Sequence, residues 1–193
     1  MVNSPNPVPI LVLMGTAGCG KTSVAEQIQQ LLRCEYIEGD ALHPQANVDK
    51  MSKGEPLNDD DRWPWLRVIR DTLEEKAKAL YPKDPTKSER AIVLTCSSLR
   101  KVYRDIMREV STEYASITFV YLKGSKELLQ ERIGARKNHF MGAKMLESQL
   151  NTLEVPDEAQ EQVIVADIRK DPATLAKWIV DEAHQRKIVS FYV

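Results

Sequence analysis

The segment that most restricts the fold of this 193-residue chain is a glycine-rich run, Gly15-Thr-Ala-Gly-Cys-Gly-Lys-Thr22. It matches the pattern G-x-x-x-x-G-K-[ST] in full, and it lies between a continuous apolar run, Ile10 to Met14, and a segment with helical spacing of apolar residues. The glycines let the backbone turn tightly and aim its N–H groups at a polyphosphate. The start of the following helix adds partial positive charge. This context predicts a strand, a phosphate-binding loop and a helix, which is the first unit of an α/β fold.

The residues of the loop predict ATP and Mg²⁺ as ligands. Lys21 places a positive charge near the β- and γ-phosphates and is a candidate catalytic residue, while Thr22 supplies a hydroxyl to Mg²⁺. The chain has no Asn-Lys-x-Asp motif of the GTPase kind, and its third apolar run ends in Thr95-Cys-Ser97 instead of the acidic residues usual in motor ATPases. A small-molecule kinase is therefore favoured over those classes and over a glycine-rich turn that binds nothing. The expected ATP-binding residues are Gly15, Thr16, Ala17, Gly18, Cys19, Gly20, Lys21, Thr22 and Ser23.

Apolar runs alternate with segments of helical periodicity along the rest of the chain. Further strands are predicted at residues 36–38, 91–95, 117–122 and 163–166, and late helices at residues 126–136 and 140–150. This order predicts a single three-layer α/β/α domain over residues 1–193, with a five-stranded parallel sheet covered by helices on both faces. Ligands bind at the carboxyl ends of the strands in such sheets. The Pro-, Lys- and Asp-rich residues 81–90 predict an exposed loop.

Charge and cysteine content argue against several other classes of protein. Twenty-seven Lys and Arg residues balance 28 Asp and Glu residues, so neither nucleic acid nor a membrane is expected as a partner. Cys19, Cys34 and Cys96 are not spaced as a metal knuckle or a redox pair, which favours a reduced intracellular protein. The first apolar run is too short for a signal peptide or a membrane span, so a cytoplasmic location is expected.

The group Gly39-Asp-Ala-Leu-His-Pro44 follows the second predicted strand, where a phosphoryl acceptor should bind. Asp40 is a candidate to accept the proton of the attacking hydroxyl, or to hold Mg²⁺ through a water molecule. An aspartate at a strand end is also common as a helix cap or a turn residue, and the residues alone leave these alternatives open. His43 is a further candidate for binding the substrate.

Basic residues at three places are candidates for binding an acidic substrate. Arg62 ends the run Asn58-Asp-Asp-Asp-Arg62, whose acidic residues are typical of a helix start. Arg104 belongs to a basic helix face after the third strand, which is either a solvated face or an anion site. Lys101 and Arg104 are the first candidates for binding a substrate carboxylate, with Arg62 and His139 in reserve.

The predicted helix 126–136 carries two arginines, Arg132 and Arg136, within its apolar sector. An unpaired buried charge is expensive, so these side chains need anions, and the polyphosphate of ATP would supply them. Alternatively, Arg132 pairs with an internal carboxylate and Arg136 interacts with the end of the helix. Small kinases close an arginine-bearing lid over the transferring phosphoryl group, so we expect both arginines to be catalytic and residues 136–146 to form the lid.

Taken together, these segments resemble the gluconate kinase family. Besides the phosphate-binding loop, the matching segments include Gly39-Asp-Ala-Leu-His-Pro44, Gly54-Glu-Pro-Leu-Asn-Asp-Asp-Asp-Arg62, Cys96-Ser-Ser-Leu-Arg-Lys-Val-Tyr-Arg-Asp105 and Ala135-Arg-Lys-Asn-His-Phe140. The resemblance implies a fold similar to that of nucleoside monophosphate and shikimate kinases. It also implies that ATP and Mg²⁺ are used to convert D-gluconate into 6-phospho-D-gluconate for the pentose phosphate pathway, and that the chain forms a homodimer. It supports roles for Asp40 and the lid arginines, and it does not settle which basic residue holds the substrate carboxylate.

Two other functions stay open at this level. A kinase for another small acid, such as shikimate, or for a nucleotide would share the fold and differ in the acceptor region. A nucleotide-binding regulatory module without turnover belongs to a different class, and the presence of Lys21, Thr22 and Asp40 together argues against it.

Overall fold

A computed structural model of the chain describes residues 6–81, 83, 88–135 and 139–189, the side chains of residues 88 and 139–144 excepted. The described strands are β1 (Val8–Met14), β2 (Glu35–Glu38), β3 (Ile92–Thr95), β4 (Ala115–Lys123) and β5 (Val163–Asp167). The described α-helices are α1 (Lys21–Leu32), α2 (Gln45–Ser52), α3 (Asp59–Leu80), α4 (Lys101–Met107), α5 (Lys126–Gly134), α6 (His139–Thr152) and α7 (Pro172–Gln185). Short 3₁₀ helices lie at Gly39–Leu42 and Ser88–Arg90.

The described strands form one parallel sheet in the order β2-β3-β1-β4-β5, which confirms the predicted α/β class. The central strand β1 is buried along its whole length, as expected of a strand covered on both faces. Its register pairs Leu13 with Thr95 of β3 and with Val120 of β4. The carboxyl ends of β1, β2 and β3 therefore meet at one edge of the sheet, and the phosphate-binding loop starts there.

Alternate side chains of β1 pack into two separate cores, one on each face of the sheet. Leu11 and Leu13 pack with α1 and α7, whereas Ile10, Val12 and Met14 pack with α3 and α4. Burial of these side chains is the main driving force for folding. It also fixes the two helical layers on the sheet, so that the loop edge has a rigid support.

The helices agree with the sequence prediction in part. Asn58 and Asp61 exchange side chain to backbone hydrogen bonds of 3.0 and 2.8 Å, and this capping box starts α3 at Asp59. Helix α5 ends at Gly134, two residues before the predicted end. Helix α2, which is mostly exposed, has no counterpart in the prediction because its apolar spacing is weak.

The predicted loop 81–90 is described only in part, since residues 82 and 84–87 lie outside the described residues. Residues 88–90 of that segment form a 3₁₀ turn leading into β3. Within the described ranges, no helix is long and apolar enough to cross a membrane.

Candidate active site

The phosphate-binding loop turns from β1 into α1 as its sequence predicts. Gly15, Gly18 and Gly20 have φ angles of 140°, 81° and 92°, which residues with a side chain rarely adopt. A methyl group at Gly18 would also lie only 2.9 Å from Cγ1 of Ile133 in α5. Gly20 directly precedes α1, so the unpaired first N–H groups of that helix belong to the loop and are available to an anion.

The ammonium group of Lys21 lies inside this loop. Its Nζ donates to the carbonyl oxygens of Gly15 (3.0 Å) and Thr16 (3.2 Å) and lies 3.9 Å from Sγ of Cys19. Burial raises the pKa of the Cys19 thiol, so this side chain stays neutral. The loop thus holds one positive side chain, Lys21, at its centre.

Glu38, the last residue of β2, contacts the expected magnesium ligand Thr22. Oγ1 of Thr22 donates to Oε2 of Glu38 over 3.2 Å, and the same carboxylate accepts from the hydroxyls of Tyr36 (2.7 Å) and Thr95 (2.5 Å). Burial, together with the nearby Glu38 carboxylate, raises the pKa of Tyr36 to about 12, so its hydroxyl stays a donor. Sequence reasoning missed Glu38, although its place at a strand end, directly before Gly39, is a signal that could have found it.

Asp40 lies in the 3₁₀ turn directly after β2, and its side chain is 79% exposed. Gly39 is required before it, because a methyl group there would collide with the carbonyl oxygen of Thr95. The indole Nε1 of Trp65 fixes the turn further by donating to the carbonyl oxygen of Gly39 over 2.9 Å. The structure therefore places the Asp40 carboxylate at the carboxyl edge of the sheet, open to a ligand.

His43 is buried beside Asp40. Its side chain is 5% exposed and its ring stacks on Trp65, with centroids 4.0 Å apart. Nδ2 of Asn47 donates both to the carbonyl oxygen of Asp61 (2.8 Å) and to Nδ1 of His43 (3.2 Å). Because a carbonyl oxygen only accepts, the orientation of the Asn47 amide is fixed, and Nδ1 of His43 must be the unprotonated nitrogen.

The ring proton of His43 accordingly lies on Nε2, which is 4.0 Å from Oδ1 of Asp40. Burial lowers the pKa of His43, so the imidazole stays neutral. The expectation that His43 binds substrate directly is not supported by this burial, and its contacts with Trp65 and Asn47 fit a structural support for the turn that carries Asp40.

A cavity adjoins the loop between α3, α6 and the segment that connects β3 to α4. Its lining residues include Arg62, Trp65, Cys96, Ser98, Tyr103 and Gln149. The carbonyl oxygen of Ser97, in the same connecting segment, accepts a hydrogen bond from the N–H of Gly15 over 3.2 Å. The cavity and the phosphate-binding loop are therefore direct neighbours, as an acceptor site requires.

Arg62 lines this cavity and retains free hydrogen-bond donors. Its Nη1 donates to Oδ1 of Asp59 (3.3 Å) and to the hydroxyl of Tyr103 (3.4 Å), whereas its Nε and Nη2 have no hydrogen-bond partner among the described residues. The hydroxyl of Tyr103 and the guanidinium of Arg100 hold the pKa of Asp59 below its ordinary value. Arg62 is thus positioned by a charged network while two of its nitrogens stay available to an anion.

Arg104, a first candidate for the substrate carboxylate, is buried in an internal ion pair. It is 1% exposed, and its Nε and Nη2 each donate to a carboxylate oxygen of Glu161 over 2.8 Å. Its Nη1 donates to the carbonyl oxygens of Ser98 (3.0 Å) and Glu154 (3.1 Å). Every nitrogen of the guanidinium therefore has a protein partner, and the expectation that Arg104 binds the substrate is wrong. Its role is to stabilise the segment that lines the cavity.

Lys101 is exposed and does not line the cavity of Arg62. Its Nζ pairs with Oδ2 of Asp105 over 2.7 Å, and its N–H donates to the Glu154 carboxylate over 2.7 Å. The side chain instead borders a separate surface cavity that reaches Ala115, the first residue of β4. The structure therefore does not bring Lys101 together with the candidate acceptor site.

Arg132 of α5 lies beside the phosphate-binding loop. Its Nη2 donates to the carbonyl oxygen of Ile168 over 2.5 Å, and a methyl group at Gly20 would lie 3.8 Å from its Nη1. Nη1 and Nε have no hydrogen-bond partner in the part of the chain that the structure describes, and no carboxylate there pairs with Arg132. The arrangement suits a ligand of phosphate oxygens.

The structure describes the predicted lid, residues 136–146, only in part. Arg136 lies outside the described residues, and His139 begins α6 at a place where only the backbone is described. The catalytic role of Arg136 and the substrate-binding role of His139 stay predictions.

Gln149 of α6 joins the cavity to the loop. Its Oε1 accepts a hydrogen bond from the N–H of Ala17 over 2.6 Å. Sequence reasoning missed this residue because the contact spans 132 positions and a single glutamine in a helix carries no distinguishing pattern.

Known proteins resemble this chain in sequence and in structure. The model of the AAA domain family matches residues 10–156. The gluconokinase of Gluconobacter oxydans (strain 621H) is 42% identical over 170 residues, which cover 88% of this chain and 88% of that protein. A gluconokinase structure from Sinorhizobium meliloti 1021 superposes with a TM-score of 0.76 at 37% identity, over 95% of this chain and 94% of the other. Shikimate kinase from Acinetobacter baumannii shares the fold, with a TM-score of 0.56 at 17% identity over 93% and 95%.

Proposed function

The chain belongs to the gluconokinase family and is a kinase, and from this premise we propose that it phosphorylates D-gluconate with ATP. The proposed reaction moves the γ-phosphoryl group to the 6-hydroxyl and gives 6-phospho-D-gluconate. One observation carries the proposal: the Gly15 N–H bonds the Ser97 carbonyl oxygen over 3.2 Å, so the phosphate-binding loop and the acceptor cavity share a wall. Transfer between two bound substrates requires this proximity.

We propose Mg²⁺ as a cofactor, held by residues at the start of α1 and the end of β2. The Thr22 hydroxyl and the Glu38 carboxylate are 3.2 Å apart and offer the hard oxygen ligands that Mg²⁺ prefers. Asp40, two residues after Glu38, is the alternative carboxylate, and it would hold the ion through a water molecule if it did not serve the acceptor hydroxyl. When bound, the ion would neutralise charge on the phosphates of ATP.

Lys21 and Arg132 are proposed to stabilise the negative charge of the transferring group. Nζ of Lys21 lies within the loop at 3.0 Å from the Gly15 carbonyl oxygen. Beside Gly20, Nη1 and Nε of Arg132 have no partner among the residues that the structure describes. Positive groups that are already in place need no reorganisation during the reaction, which makes such stabilisation effective. Arg136, from the undescribed part of the lid, is proposed to act with them.

Asp40 is proposed to orient the attacking hydroxyl and to accept its proton. Its exposed carboxylate stands at the strand end beside the neutral ring of His43, whose Nε2 lies 4.0 Å from Oδ1. A kinase needs one carboxylate to orient the nucleophile, while most of its catalysis comes from positioning and charge.

Arg62 is proposed to bind the carboxylate of gluconate. It lines the cavity with Nε and Nη2 unpaired within the described part of the chain, whereas every guanidinium nitrogen of Arg104 is paired and Lys101 lies elsewhere. The planar guanidinium matches a carboxylate with two parallel hydrogen bonds. His139 is retained as a second candidate.

The release of ADP by the purified protein, measured with ATP and Mg²⁺ in the presence and absence of gluconate, tests this function. We expect release to depend on gluconate, with 6-phosphogluconate identified by mass spectrometry. ATP binding without turnover would instead make the protein a nucleotide-binding regulatory module. Turnover with shikimate but not with gluconate would change the acceptor and leave the kinase assignment in place.

We further propose that the enzyme works in the cytoplasm as a homodimer and that its product enters the pentose phosphate pathway. The acceptor is a small molecule, and neither nucleic acid nor a membrane takes part in the proposed reaction. Sedimentation equilibrium is expected to give twice the mass of one chain, and the mass of a single chain would contradict the dimer.

A further inference from the structure

The carboxamide of Gln149 touches both candidate substrate sites. Its Oε1 accepts from the N–H of Ala17, inside the phosphate-binding loop, over 2.6 Å. The same side chain lines the acceptor cavity, next to Ser148 and Thr152 of the same helix. A single neutral side chain therefore connects the nucleotide site to the acceptor site.

The part of α6 that carries Gln149 is firmly anchored. Leu146, one turn earlier, is 1% exposed and belongs to the core that packs on α1 and α7. Just after the helix, the N–H of Glu154 donates to the carbonyl oxygen of Leu99 over 2.8 Å. The carboxylate of Glu154 accepts from the N–H of Lys101 over 2.7 Å. Gln149 is thus held at a fixed place between the loop and the segment that lines the cavity, as precise positioning requires.

The bond to Ala17 also determines which end of the carboxamide faces the cavity. A backbone N–H needs an acceptor, so the oxygen of Gln149 must be the atom at the loop. Its Nε2, with two N–H donors, has no hydrogen-bond partner among the described residues. The half-buried side chain therefore keeps two neutral donors for oxygen atoms of a ligand.

We propose that Gln149 is a positioning and specificity residue that ties the acceptor to the nucleotide. Oε1 holds the phosphate-binding loop at Ala17, and Nε2 donates to a hydroxyl oxygen of the bound polyhydroxy acid. This inference rests on the proposed function, since it takes the occupant of the cavity to be such an acid. Because one side chain serves both sites, each ligand should bind more tightly when the other is present.

The test compares Gln149→Met, which keeps the length of the side chain and removes its polar atoms, with Gln149→Glu, which keeps an acceptor for Ala17 and removes the donors. Gln130→Met, at an exposed position of α5, is the matched control. For each variant, kcat/KM for gluconate is measured, together with the Kd of ADP in the presence and absence of gluconate. The thermal midpoint Tm shows whether each variant is folded.

We expect both Gln149 variants to lose about tenfold in kcat/KM for gluconate, while Gln130→Met stays at the wild-type value. The effect of gluconate on the Kd of ADP should disappear in Gln149→Met. A Gln149→Met enzyme within about twofold of wild type in both measurements would overturn the proposal. So would a lowered Tm with kinetics unchanged, because that is the result of a merely structural role.

A failure of the proposed function gives a different result. If the wild type does not phosphorylate gluconate, the same variants are compared on the acceptor that the wild type does use. In that case, the role of Gln149 is overturned if Gln149→Met has the same kcat/KM for that acceptor as the wild type and the acceptor changes the Kd of ADP equally in both proteins.

Discussion

The hydroxyl of Thr22 donates a 3.2 Å hydrogen bond to the carboxylate of Glu38, so the start of α1 and the end of β2 meet at one point of the site. Thr22 is predicted as a functional residue by the motif of the phosphate-binding loop, whereas Glu38 belongs to no sequence motif. The same carboxylate also accepts from Tyr36 and Thr95, which fixes both of its oxygens. The proposed magnesium ligand of the loop thus has a carboxylate fixed beside it.

Replacing Glu38 by Gln keeps the size of the side chain and removes its charge. We expect the concentration of Mg²⁺ required for half-maximal activity to rise by about tenfold or more, since a hydrogen bond to a charged group contributes about 1.5–3 kcal/mol. The measurement is activity against Mg²⁺ at fixed ATP. Glu35→Gln, at the other end of β2, is the control, because Glu35 pairs with the surface residue Lys76 and with no other cation among the described residues. If the Mg²⁺ requirement were unchanged and Tm were lower, Glu38 would have only a structural role, as a hydrogen-bond acceptor.

Asp40→Asn keeps the shape of the side chain and removes the proposed base. We expect kcat to fall by about a hundredfold or more, because a positioned base contributes about 10²–10⁴-fold. ATP binding should change much less. Asp60→Asn, at an exposed position in the first turn of α3, provides the matched control. Weakened binding of ATP–Mg²⁺ with kcat unchanged would assign Asp40 to the metal and remove it from the acceptor.

Arg62→Met removes the guanidinium that we assign to the substrate carboxylate. Loss of two charged hydrogen bonds, at about 1.5–3 kcal/mol each, predicts an increase of about a hundredfold or more in KM for gluconate. Lys101→Met is the control, since that side chain lies outside the cavity. If Lys101→Met raised KM for gluconate while Arg62→Met did not, the assignment of the carboxylate site would be reversed.

The fold was largely accessible from the sequence because its signals are local. The glycine-rich loop, the continuous apolar β1 and the alternation of strands and helices each lie within a short window, and they predict a parallel sheet with its ligands at one edge. Helix α2 was missed, since most of its residues are exposed and it has little apolar spacing.

The site was accessible only in part, because its remaining features depend on contacts between distant residues. Arg104 belongs to a basic helix face in the sequence. Its partner Glu161 is 57 positions away, so the sequence does not show that the guanidinium is already paired. The bond between Gln149 and Ala17 spans 132 positions, and no periodicity indicates it. Glu38 was easier to predict than Gln149, because it ends a strand two residues before the candidate Asp40.

The buried pair of Arg104 and Glu161 predicts a dependence of stability on pH. The hydrogen bond from Arg104 lowers the pKa of Glu161 from 4.5 to about 2. A group whose pKa is depressed in the folded state stabilises it above the unfolded pKa, and this contribution is lost as the pH falls through the folded pKa. We therefore expect the free energy of unfolding of the wild type to fall between about pH 5 and pH 2 more steeply than that of Glu161→Gln. Parallel profiles from denaturant unfolding would contradict the assigned ion pair.

The choice of acceptor is tested by kcat/KM for gluconate, glucose and shikimate under one set of conditions. Glucose lacks the carboxylate at C1, so it would leave Arg62 unpaired and lose about two charged hydrogen bonds, or about 3–6 kcal/mol. We predict that gluconate is preferred over glucose by about a hundredfold or more, with kcat falling together with affinity because remote binding also orients the 6-hydroxyl. Comparable values for glucose and gluconate, or a preference for shikimate, would contradict the proposed site for a sugar acid.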